Sequence, residues 1–485
     1  MRFIGKDPNI IDAYYTATAE GAITAGKPVI VEADGDVTEV SGTSHTEALG
    51  TAVIYESGII GHNAITFDSN AGKTAVLWVI NTQIGYGEVA TVTSGNGISF
   101  GSSTQFDTLV SEPSATFDSN SNKVVVAYTD GGNSNYGTGI VGTVSGTSIS
   151  FGSPAAFNSS NTGDSQATFD STNNKVVIVY RDAGNSHYGT AVVGTVSGTS
   201  ISFGTPVVFE SSYALHPGCS FDSSNGKVFV TFSQNNDSNK GQAIIGTVSG
   251  TSISFGTKVQ YTANEVFGNK SVYDSENGKV VIVYRDLNTS NYMRAIVGTI
   301  SGTSVSFGSP VTVASTTFTN DPMDYGVTYD SNLGNIVVAF VDTGNSDYGT
   351  YVVGSVSGTS SSWGSTTVFD SNGSEDVQCT FDGSENKVVI IWRGSGSDGT
   401  ARVLQTAGTS TNLTSENYIG IAADTYADNE DSTIGIVGCI DRNQTSLTAG
   451  QQYFVQADGT LSTTAGDPSV LAGTAISATE LVVKE

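Results

Sequence analysis

Ala167-Thr-Phe-Asp170, Lys175-Val-Val-Ile-Val-Tyr180, Gly189-Thr-Ala-Val-Val-Gly-Thr-Val196 and Ile201-Ser-Phe-Gly-Thr-Pro-Val-Val-Phe209 follow one another along the chain, separated by short polar segments. Val176 to Tyr180 is continuously apolar, as a strand covered on both faces requires, whereas Ile201, Ser202 and Phe203 alternate as on a strand with one wet side. The stretch therefore predicts four strands, the second interior and the fourth an outer edge. Asp170-Ser-Thr-Asn-Asn174 and Ser197-Gly-Thr-Ser200 carry the residue types of tight turns. No stretch of the chain shows helical periodicity.

This unit recurs. Its aromatic-Asp opening stands at Asp68, Asp118, Asp170, Asp222, Asp274, Asp330 and Asp382, at spacings of 50, 52, 52, 52, 56 and 52 residues. A β-type repeat of that period is the signature of propeller blades, in which each four-stranded sheet buries its faces against its neighbours. The expected fold is all-β: a seven-bladed β-propeller of four-stranded blades over residues 48–410, flanked by small N-terminal (1–47) and C-terminal (411–485) β-modules. The seventh copy runs from Thr400-Ala-Arg-Val-Leu-Gln405 into Ala407-Gly-Thr-Ser-Thr-Asn-Leu413 without a Ser-Phe-Gly strand. Gly50-Thr-Ala-Val-Ile-Tyr-Glu-Ser57 resembles Gly204-Thr-Pro-Val-Val-Phe-Glu-Ser211, so residues 48–57 are expected to supply the missing outer strand and close the ring.

The flanks carry a weaker duplication. Ile23-Thr-Ala-Gly-Lys-Pro-Val-Ile-Val-Glu-Ala-Asp-Gly35 matches Leu447-Thr-Ala-Gly-Gln-Gln-Tyr-Phe-Val-Gln-Ala-Asp-Gly459, each reading as a short β-module with an Asp-Gly hairpin turn. Both lie where the ring is expected to close, which suits an attachment base.

The chain has 19 Lys plus Arg against 46 Asp plus Glu, a formal net charge of −27. That surface repels polynucleotides and anionic membranes, and no basic stripe relieves it. Met1-Arg-Phe-Ile-Gly-Lys-Asp7 has no apolar core of a signal peptide, and no apolar run is long enough to span a bilayer. The expectation is a protein without membrane insertion, either cytosolic or carried outside the cell within a larger particle. Cys219 and Cys379 share one repeat slot, two residues before the aromatic, and are expected as buried reduced thiols; Cys439 stands alone. His45, His62, His187 and His216 show no zinc spacing.

Loops between the second and third strands, and connections between copies, vary most and are expected on one face, where binding residues collect. That face carries Tyr136, Tyr188, Tyr292 and Tyr348, with Asp130, Asp182, Asp286 and Asp342 six residues upstream of each. Aromatic rings beside carboxylates suit a sugar groove; the same residues equally suit a Tyr packed on the next blade with the Asp capping its turn. Arg181, Arg285 and Arg393 occupy equivalent positions, as arginines gripping a substrate carboxylate would, or as local partners of acidic neighbours. No Asp-box and no catalytic carboxylate pair is identifiable, so no enzyme activity and no cofactor is expected. Asp182-Ala-Gly-Asn185 and Asp130-Gly-Gly-Asn133 offer oxygen ligands suited to calcium but lack the alternating acids of a dedicated calcium loop.

Lys175-Val-Val-Ile-Val-Tyr-Arg-Asp182, Val193-Gly-Thr-Val-Ser-Gly-Thr-Ser-Ile-Ser-Phe-Gly204, Tyr418-Ile-Gly-Ile421, Leu447 to Ser462 and Gly473-Thr-Ala-Ile-Ser-Ala-Thr-Glu-Leu481 together resemble virion structural proteins of tailed bacteriophages, especially marine ones. The resemblance covers most of the chain and implies a tail fibre, appendage or decoration protein located on the virion. It implies other virion proteins as partners through the flanking modules, and it implies no catalytic residues. A propeller face turned outward would then contact the host surface, with a glycan as the expected ligand. A purely structural head-decoration or tail-knob protein, and a sialidase-like glycan-cleaving propeller, are the alternatives.

Overall fold

The computed structural model describes residues 13–317, 324–466 and 468–484. The chain divides into two compact units, Glu47–Thr406 and a second built from Met1–Thr46 with Ala407–Glu485. Among the described residues there are strands and short 3-10 turns but no α-helix.

In the third copy, Lys175–Asp182 pairs on one side with the end of the long strand Ala155–Asp170 and on the other with Tyr188–Ser197, all antiparallel. The outer strand is split. Ser200–Phe203 and the start of Val207–Asp222 both pair with Tyr188–Ser197, with Gly204-Thr-Pro206 between them. The same pattern recurs in every copy.

The apolar second strand explains how copies stack. Val176, Ile178 and Tyr180 join Val125 and Val141 of the second copy, whereas Val177 and Val179 join Val228 and Val230 of the fourth. Alternate side chains on one strand thus serve two neighbours, which is why the run must be apolar throughout. Each apolar cluster of this unit straddles two successive copies, and the series returns on itself: Val389, Ile391 and Val403 of the seventh copy pack with Val76, Trp78 and Ala90 of the first. Thr74 Oγ1 donates to Asp382 Oδ2 at 3.1 Å across the same junction. Ala48–Leu49 and Val53–Glu56 pair with Gly399–Gln405, occupying the place where an outer strand from residues 48–57 is expected. The architecture is that of a β-propeller.

Repeated residues acquire reasons. The opening aspartates are all buried. Asp222 Oδ1 accepts from the backbone N–H groups of Ser224 and Asn225, and its other oxygen from Asn225 Nδ2, so each aspartate holds the hairpin turn between the first two strands. Phe209 of the third outer strand lies over Gly189, where a Cβ would overlap its ring, and packs against Phe232 and Phe255 of the fourth copy at 5.3 and 5.6 Å between centroids. Phe106, Phe157, Tyr261 and Phe369 make the same contact over Gly85, Gly137, Gly241 and Gly349. At the closing strand Tyr55 lies over Gly399 and meets Trp78 of the first copy at 5.3 Å. The fifth copy has Met293 in place of the glycine and Val313 in place of the aromatic, so the larger residue is matched by a smaller partner.

The flanks do not form two modules. Pro28–Val31 pairs with Tyr418–Ala422, Tyr14–Thr18 with Asp431–Gly435, and Gly42–His45 with Gly408–Thr411. A second sheet comes from the C-terminal stretch alone, and Ile30 and Val40 share its core with Tyr453, Val455 and Leu481. A lone hairpin cannot bury its apolar face, so each flank needs the other. The Asp-Gly turns are present, with Gly35 and Gly459 at φ 97° and 73°. The N-terminal stretch Met1 to Asp7 lies outside the described residues. Cys219, Cys379 and Cys439 are free thiols, and burial pushes the first two up to about 12.

Two outcomes are expected. Gly189→Met destabilises by roughly 1–3 kcal/mol through overpacking, and Phe209→Val costs about 2 kcal/mol through a cavity. The double variant, which reproduces the fifth copy's pair, should recover more than about 1 kcal/mol of the summed loss in denaturant melts; simple additivity would refute the seam. Glu88 is buried in the third strand of the first copy, and desolvation, helped by Glu56 of the closing strand, raises its carboxyl from 4.5 to about 7. The folded state therefore holds a proton that the unfolded state has released between these values, and stability falls as pH rises through that window. Glu88→Gln should raise the melting temperature at pH above 7, with the gain vanishing below 4.5.

Candidate functional site

Tyr136, Tyr188, Tyr292 and Tyr348 each begin a third strand and are half-buried. The two residues before each hold left-handed backbone, as Ser186 and His187 do at φ 56° and 62°. The aspartates upstream act mainly on their turns. Asp130 Oδ1 accepts from Asn133 N–H and Asp342 Oδ1 from Gly344 N–H, whereas Asp182 makes no such capping bond. Among the described residues no three His, Cys, Asp or Glu side chains are grouped as a metal site needs, and the Asp130 loop is accounted for as a capped turn.

The three arginines meet different surroundings. Arg181 Nε donates to Asp164 Oδ2 at 2.6 Å, its Nη1 lies 2.9 Å from His187 Nδ1, and it stands 5.8 Å from the Tyr213 ring centroid. Burial alone would weaken its hold on the proton, but Asp164 outweighs this and raises it. Arg393 is ion-paired with Glu375 and lies 3.3 Å from Asp376. Arg285 is 7 % exposed, and burial lowers its pKa.

The difference traces to one slot, six residues before each opening aspartate: His62, Glu112, Asp164, His216, Gly268, Asp324 and Asp376. Arg181 and Arg393 find an acid in the slot of their own copy, whereas Arg285 faces a copy whose slot is Gly268. Neighbouring slots touch. Glu112 Oε2 accepts from Asp164 N–H at 2.8 Å, Asp324 Oδ1 from Asp376 N–H at 2.7 Å, and His62 Nδ1 lies 3.6 Å from Asp376 Oδ1. His216 Nδ1 lies 3.9 Å from Asp164 Oδ1. Burial, then Asp164, raises the Glu112 carboxyl. These slot residues are a structural belt linking first strands, and the sequence signal for them was their fixed offset from the repeated aspartate.

Two cavities are relevant in this unit. One of about 70 Å³, lined by Asn63, Ser114, Gln166, Lys270 and Gln378, has room for water but not for a sugar. The other is an open cleft of about 500 Å³ between the sixth and seventh copies, lined by Asp324, Thr343, Asp347, Asn372, Glu375 and Arg393 among others. Its volume is in the range of small-molecule sites. The connection here is broken, as it also is between Thr104–Asp107 and Val110–Asp118 after the first copy. Three earlier connections run as unbroken strands, Ala155–Asp170, Val207–Asp222 and Val259–Asp274, but here Thr367–Asp370 and Ser374–Asp382 are separated by a turn with Gly373 at φ 87°. The seventh copy's loop is also short: Arg393 to Gly399 spans six positions where Arg181 to Gly189 spans eight, and it lacks the loop Tyr. Of the sequence-predicted residues only Arg393 lines this cleft. Asn372, Glu375 and Asp324 were missed, and the shortened loop does not mark them by itself, since the first copy shares it from Val79 to Gly85.

No known protein family and no curated protein matches the sequence. Among solved structures, the BP39L lectin from Burkholderia pseudomallei is similar over 74 % of this chain and 99 % of its own, with a TM-score of 0.55 at 9 % identity. A chain of the mitotic checkpoint complex is similar over 75 % and 93 %, at 0.49 and 9 % identity. The first likeness establishes a propeller-type fold.

Arg181→Ala should lower stability by roughly 3 kcal/mol, because it strands the Asp164 carboxylate beside Glu112. Adding Asp164→Asn should return part of that loss in chemical denaturation; an equal or deeper loss would contradict the pairing.

Proposed function

We propose that this chain is a seven-bladed, carbohydrate-binding β-propeller carried on a bacteriophage virion as a tail fibre, appendage or decoration protein. The observation that carries the binding reading is the open polar cleft of about 500 Å³ beside Arg393, with carboxylate, hydroxyl and amide groups on both walls. Such groups bind sugar hydroxyls, and half-exposed tyrosines on neighbouring loops offer ring faces for stacking. A propeller of similar fold in Burkholderia pseudomallei is a lectin, which supports the reading. Seven copies of the opening aspartate, with the seventh packed on the first, support the blade count.

Virion placement rests on the resemblance of the repeat and tail motifs. The flank unit supplies a surface for other virion proteins: an apolar cleft of about 410 Å³ lined by Tyr15, Val31, Tyr418, Ile419, Ile436 and Val437, with Tyr15 41 % and Val437 53 % exposed. The reading is one of binding without catalysis, and the engagement of Arg181 and Arg393 with carboxylates of their own copies is consistent with it.

A glycan array probed with the purified chain and read for both retention and cleavage tests this. Retention without cleavage is expected. Cleavage would make it an enzyme, and silence would leave a structural decoration role.

A further inference from the structure

We infer that the cleft between the sixth and seventh copies takes an uncharged saccharide and rejects sugars bearing carboxylate, sulfate or phosphate. This rests on the carbohydrate reading above and narrows it to a substrate class.

The argument is one of charge and prior engagement. Arg393 is the one cation among the described residues that line the cleft, against the carboxylates of Asp324, Asp347 and Glu375. It is held between Glu375 and Asp376, the latter 3.3 Å from Nε. An anionic ligand reaching the guanidinium would have to displace these carboxylates and leave them facing each other with the charge uncompensated, which is costly at a partly buried site. Asp376 is 8 % exposed and cannot swing out to water as Glu375 can. The chain's net charge of −27 adds long-range repulsion.

What the walls do offer is acceptors. Asp347 is exposed at the rim, its backbone fixed in left-handed conformation and its carbonyl accepting from Ser374 N–H, so its carboxylate is presented from a braced turn. Asn372 donates through both its backbone N–H and Nδ2 to Asp370 Oδ1, and its own Oδ1 remains an acceptor. Thr343 Oγ1 donates to Thr317 O at 2.8 Å and so presents lone pairs. Carboxylate, amide and hydroxyl oxygens facing one space bind donors, and the donors of a neutral sugar are its hydroxyls. An anion's oxygens require donors, and the hydroxyls of Ser346, Ser395 and Ser397 would have to supply them in the field of three carboxylates.

The test is retention of the full chain on neutral and acidic oligosaccharides at low and high salt, repeated with Ser395→Trp and Asn372→Trp, which fill the cleft, and with Ser186→Trp on the third copy's exposed loop. Neutral sugars should be retained and acidic ones not, with affinity falling roughly tenfold or more in either cleft variant but not in Ser186→Trp. Retention of acidic sugars that is lost in the cleft variants would overturn the charge argument while leaving the carbohydrate reading intact. Retention unchanged by both cleft variants would overturn the assignment of this cleft. If no sugar of either kind is retained, the carbohydrate reading itself fails and the inference with it.

Discussion

The structure depends on the seating of one aromatic ring per junction. In all copies but the fifth, the outer strand lays a Phe or Tyr over the glycine near the start of the third strand of its copy, and the same ring packs against the aromatic of the next copy's second strand, as Phe209 does over Gly189 and against Phe232. One contact therefore binds a sheet to itself and to its neighbour. It explains the repeated Gly189-Thr dipeptide, which has no turn to make: the space a side chain would need is filled. Where the glycine is lost, at Met293, the aromatic is lost too, at Val313. Closure uses the same device, because Tyr55 brings the ring contact from near the start of the chain to Gly399 near the end of the repeat.

A second close approach reinforces the seam. The glycine of each Ser-Phe-Gly motif lies against the turn of the following copy, so that a Cβ at Gly204 would overlap the Thr251 carbonyl oxygen. Gly50 stands in the same relation to Asn96, which links the closing strand to the first copy. Backbones this close leave no freedom to most of the surface. Variation is then confined to the loops beyond the strand ends, and one such departure, the shortened loop after Arg393 with the broken connection at Gly373, borders a cleft. Rigid framework and open site are two results of one constraint.

Most of the propeller was legible in the sequence because a repeat states its strands several times over, and the apolar runs and polar turns agree at every copy. The closing strand was legible for the same reason, since Gly50 to Ser57 resembles Gly204 to Ser211. The sharing of sheets between the two flanks was not, because pairing such as Val29 with Gly420 leaves no local signal in either segment. The arginines show the limit most clearly. Their equal repeat positions suggested one shared role, yet Arg181 is engaged by Asp164, Arg393 by Glu375 and Asp376, and Arg285 stands in a copy whose corresponding slot is Gly268. The tyrosines begin third strands outside the cleft, which is built from Asn372, Glu375 and Asp347, residues that gain meaning only when two copies are set side by side.

Carbohydrate binding is proposed at the cleft between the sixth and seventh copies. The most direct measurement is a crystal structure of the full chain with a neutral oligosaccharide bound. The account predicts sugar density between Asp347 and Glu375 with the Arg393–Glu375 pair intact. Sugar seated instead over Tyr188 or another loop tyrosine, or a ligand that takes Arg393 away from its carboxylates, would contradict it.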